Sequence, residues 1–129
     1  MSPELLDPES FDLEDSRPTK ESDIYALGMV VYEVLSGQAP FPRCKDAAVI
    51  RKVMRGERPE RPQGVRGAWF KDGLWEILEL CWKPQRGDRP SLKTLLQCLE
   101  GADVESGNQH VSQTATQTEG VIPCSQVFR

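Results

Sequence analysis

The chain has 129 residues, 38 % of them hydrophobic and 28 % charged, with a formal net charge of −4, which is the size of one domain and the composition of a soluble globular protein. The charge is too small and too evenly interspersed for a nucleic-acid surface, and the longest apolar stretch, residues 24–32, falls far short of the roughly 18 to 20 residues that span a bilayer. The N-terminus lacks the basic and then apolar leader of a secreted protein. Cys44, Cys81, Cys98 and Cys124 show no CxxC spacing and the single histidine is His110, so no zinc site is expected and reduced thiols in a cytoplasmic protein are.

In chain order, residues 5–21 alternate acids, prolines and hydroxyl residues and read as a surface loop. Ser22 or Asp23 then caps a helix, because a short oxygen-bearing side chain accepts from the orphan N–H groups of a first turn. From Ile24 to Leu35 only Glu33 is charged, and a helix apolar all round is expected to be enclosed by protein. Gly28 inside it costs about 1 kcal/mol against alanine, which predicts a backbone closely apposed there. Gly37 is the expected stop, followed by a turn over Ala39-Pro40-Phe41-Pro42.

A second helix is predicted from Asp46, as its cap, to Arg55. It places Val49, Ile50, Val53 and Met54 on one side and Arg51, Lys52 and Arg55 toward water. Arg58-Pro59-Glu60-Arg61-Pro62 forbids a helix and favours an extended crossing segment. Asp72 is expected to cap a third helix carrying Leu74, Ile77, Leu78 and Cys81, stopped by Pro84. Ser91 caps a fourth, with Leu92, Leu95, Leu96 and Leu99 at the spacing of one buried face and Gly101 as its end. Nothing alternates with period two, so no strands are expected. Residues 101–129 form a polar segment that reads as a disordered tail, since it cannot bury enough to offset the entropy of ordering.

Three runs in fixed order resemble a known pattern: Ser2-Pro3-Glu4, then Asp23 and Gly28 in an Asp-x-x-x-x-Gly helix opening, then Cys81-Trp82 followed by Arg89-Pro90. Together they resemble the C-terminal, helical lobe of a protein kinase domain, over about residues 1–100. Gly56-Glu57-Arg58-Pro59 and the Cys-Trp pair point to the tyrosine-kinase-like group. The fold so implied is all-α, a truncated kinase C-lobe with four main helices around the 24–35 helix.

The resemblance implies roles. Glu4 is expected to pair with Arg89, and Asp23 to be the aspartate that accepts backbone N–H groups of a catalytic loop where one exists. The 24–35 helix is expected to support that layer, and to expose an apolar face without it. The helix of Val49, Ile50, Val53 and Met54 resembles one that receives substrates or regulators. Methionine commonly precedes the Ser-Pro-Glu-like tripeptide inside complete kinases, so the chain is expected to be a truncated product or a fragment of a longer one.

Phosphoryl transfer needs a glycine-rich loop, a phosphate-binding lysine, a catalytic aspartate and Asp/Asn ligands for magnesium. None of these motifs occurs: there is no GxGxxG, and His110 is followed by Val111 and Ser112 rather than Arg-Asp. No catalytic, cofactor-binding or metal residue is therefore assigned. ATP and Mg²⁺ are expected only for a complete parent kinase, and the expected partners are proteins: the missing half of the domain, a substrate or a regulator. The alternative is a noncatalytic interaction module derived from such a lobe.

Overall fold

The computed structural model describes residues 1–104, with side chains through residue 101. Among them there is no strand: the chain is built from helices α1 (Pro3–Leu6), α2 (Lys20–Ser36), α3 (Asp46–Met54), α4 (Asp72–Cys81) and α5 (Leu92–Val104), joined by loops that contain short 3₁₀ turns. The loop over residues 5–21 therefore begins in the last part of α1 and carries a turn at Glu9–Phe11. The tail expected to be disordered lies outside the described residues from 105 onward.

α2 is the central element. Thr19, not Ser22 or Asp23, caps it: the Ser22 N–H donates to Thr19 Oγ1 at 3.2 Å and the Thr19 N–H donates to Ser22 Oγ at 2.8 Å. Each short hydroxyl residue thus satisfies the other's orphan N–H, a reciprocal arrangement that starts the helix one turn earlier than its apolar run suggests. Gly37 ends it at φ +67°, donating to the Glu33 carbonyl; a left-handed residue is cheapest as glycine. Asp46 and Asp72 likewise prove to be the first residues of α3 and α4 rather than their caps. Their charges still face the positive end of the helix dipole.

The core forms where one face of α2 meets α4, and α4 meets α5. Ile24, Tyr25 and Tyr32 from α2, Leu74, Ile77, Leu78 and Cys81 from α4, and Leu95 and Cys98 from α5 are all buried, as are Val53 and Phe70. Tyr32, Phe70, Trp75 and Trp82 make an aromatic cluster, with Tyr32–Phe70 centroids 5.5 Å apart and Trp75–Trp82 edge-on at 5.7 Å. Such tilted contacts add to the area these rings bury. The extended segment after α3 is tied down by the Tyr32 hydroxyl, which donates to the Glu60 carbonyl at 2.8 Å.

Two expectations need correction. α5 buries Leu95 and Cys98 and half-buries Leu99, while Leu92 and Leu96 remain 52 % and 45 % exposed; among the described residues α5 packs chiefly against α4, so its buried stripe is narrower than four leucines. The same helix runs through Gly101 to Val104, because glycine in a helix costs only about 1 kcal/mol and need not stop it. α2 exposes an apolar face, in line with the expectation for this helix without a covering layer. Ala26, Val30 and Val34 lie exposed along its outer side, Val30 at 55 % and Val34 at 73 %.

Candidate functional site

The most completely bonded polar group is Arg89, on the loop between α4 and α5. Its Nη1 and Nη2 donate to Glu4 Oε1 and Oε2 at 2.7 and 2.8 Å, a bidentate pair. The remaining N–H groups donate to the carbonyls of Lys83 (Nε, 2.9 Å), Glu21 (Nη1, 2.9 Å) and Pro84 (Nη2, 3.2 Å). All five guanidinium donors are thereby used, and both charged side chains are buried. One residue joins the start of the chain, the first turn of α2 and the loop leading into α5.

Burial alone would raise the Glu4 pKa, but the hydrogen bonds and charge of Arg89 outweigh it and hold the carboxyl below its ordinary value. The Ser2 hydroxyl adds to this from short of a well-formed hydrogen bond. Beneath the pair lies the Tyr25 ring, with the Arg89 and Arg58 guanidinium carbons 5.0 and 5.4 Å from its centroid. Its buried hydroxyl has no hydrogen-bond partner among the described residues. Burial raises the Tyr25 pKa against the opposing pull of the two arginines.

The other sequence-selected residues separate into two regions. Gly28 lies against the end of α4, where a Cβ would come within 2.8 Å of Trp82 Nε1 and 2.9 Å of Cys81 Cβ. The close neighbours are thus side chains, not the backbone that the sequence suggested. Asp23 is exposed in the first turn of α2, and its carboxylate makes no hydrogen bond or ion pair among the described residues. With Ala26, Val30 and Val34 it falls on one side of the helix at spacings of three and four residues.

Val49, Ile50 and Val53 line a groove of about 340 Å³ with Met1, Leu6 and Met29. Val53 is buried in the core and Ile50 is exposed, whereas Met54 is not part of that wall. No cluster of acids, histidines or cysteines that could hold a metal occurs among the described residues. The arrangement clasps and presents surfaces.

Sequence reasoning gave Arg58 no bonding role. Its Nε donates to the Trp82 carbonyl at 2.6 Å and its Nη1 to the carbonyls of Val53 (3.3 Å) and Glu57 (2.8 Å), tying the extended segment to the ends of α3 and α4. The signal in the sequence was its place in the Gly56-Glu57-Arg58-Pro59 run.

A model of the protein tyrosine and serine/threonine kinase family matches residues 1–99. Among curated proteins, the chain is 26 % identical over 102 residues to the tyrosine-protein kinase receptor ver-3 of Caenorhabditis elegans, covering 78 % of this chain and 8 % of that protein. It is 33 % identical over 86 residues to the tyrosine-protein kinase SRK3 of Spongilla lacustris, covering 66 % of this chain and 24 % of the relative. It is 34 % identical over 101 residues to the probable serine/threonine-protein kinase gdt4 of Dictyostelium discoideum, covering 78 % and 6 % respectively. The chain thus spans less than a quarter of the length of each of these relatives.

Proposed function

The chain belongs to the protein kinase family, as the C-terminal part of a kinase domain, and we propose that it serves as the substrate-side scaffold of a tyrosine-kinase-like enzyme. The parent activity is ATP- and Mg²⁺-dependent phosphoryl transfer to serine or threonine, or with dual specificity. Residues 1–129 alone neither bind ATP nor transfer phosphate, because none of the phosphate-cradling or metal-holding motifs is in the sequence. In this reading the Glu4–Arg89 clasp fixes the end of the activation segment to the helical base, and Asp23 receives the backbone of a catalytic loop. Val49, Ile50 and Val53 would face a protein substrate or regulator in an intracellular setting.

The observation that carries this reading is the outer side of α2, where an unpartnered carboxylate at Asp23 continues into exposed Ala26, Val30 and Val34. A polar anchor followed by an apolar strip suits a covering layer of protein. The test is thermal unfolding of the purified chain with and without millimolar ATP and Mg²⁺, beside a phosphotransfer assay on a generic protein substrate. No nucleotide-dependent shift and no incorporation are expected; a reproducible upward shift would refute the assignment.

The same exposed strip favours a second reading, a noncatalytic interaction module. Cooperative unfolding of a monodisperse chain supports the module. Aggregation without a transition supports a part that needs its covering layer.

A further inference from the structure

We draw no further inference here: the strongest candidate, the largely apolar groove of about 340 Å³ between α1, α2 and α3, belongs to the surface already proposed to face a protein substrate or regulator, and nothing in the structure shows which segment covers it.

Discussion

Arg89 is irreplaceable by geometry more than by charge. Lysine brings a compact ammonium in place of a planar fork, so Arg89→Lys leaves a carboxylate oxygen of Glu4 and some of the three carbonyls unpaired. Removing one partner of a buried pair costs roughly 3 to 5 kcal/mol, and Glu4→Gln should fall near the lower end of that range by urea unfolding at neutral pH. The pH dependence has a fixed sign. The folded-state pKa of Glu4 lies below its ordinary 4.5, so its contribution is present above that value and fades as pH falls through the folded one. Urea midpoints of the wild-type chain should therefore drop across this acid range, and those of Glu4→Gln should drop less. At Gly28, alanine gains helix propensity of about 1 kcal/mol but must displace Trp82 and Cys81, an overpacking cost of about 1 to 3 kcal/mol; a net loss is expected by the same measurement. Cysteine chemistry gives an independent check on packing. Burial pushes the Cys81 thiol up to about 12, while the free thiol of Cys44 is only partly covered. Brief iodoacetamide treatment at pH 8 should label Cys44 and leave Cys81 unmodified by peptide mass spectrometry.

The helices show which kinds of information the sequence carries. The existence and order of α2 to α5 could be read from their apolar residues, whereas α1 runs into a stretch read as loop; the buried set Leu74, Ile77, Leu78 and Cys81 in α4 follows apolar spacing directly. The ends were harder, because a cap is decided by which hydroxyl finds which N–H. Thr19 and Ser22 satisfy each other, a pairing that is visible only once the apolar run is allowed to start later than its helix. In α5, periodicity identifies a stripe but not its width. Leu92, Leu95, Leu96 and Leu99 fit one stripe on paper, yet α4 covers Leu95 and leaves Leu92 and Leu96 largely in water. Neighbouring leucines should therefore behave differently. Leu95→Ala removes a side chain from a closed site and should cost about 2 to 5 kcal/mol, while Leu96→Ala should cost under about 1 kcal/mol; comparable losses at the two positions would mean that the register is wrong. Of the site, the Glu4 and Arg89 residue types were legible through family resemblance. Arg58 was legible only as part of the Gly56-Glu57-Arg58-Pro59 signature; its role was not, since its partners are backbone carbonyls, which no side-chain pattern records.

At the scale of the whole molecule, one helix serves two environments. α2 buries Tyr25 and Tyr32 against α4 and the extended segment, while its other side presents Ala26, Val30 and Val34 to solvent. An apolar strip gains nothing from facing water, and in the proposed reading it is the side that a further protein layer covers. Until such a layer is present, two copies can bury the strip against each other. The chain should therefore show concentration-dependent association by sedimentation velocity, and the double variant Val30→Glu, Val34→Glu should remain monomeric at the same concentrations. Because both positions are exposed, the unfolding free energy of the monomer should move by no more than about 1 kcal/mol. Separating the two measurements isolates the cause. A monomeric variant of unchanged stability locates association on α2, whereas association that survives both glutamates assigns it to another apolar surface, of which the Leu92 and Leu96 side of α5 is the next most exposed on a long helix.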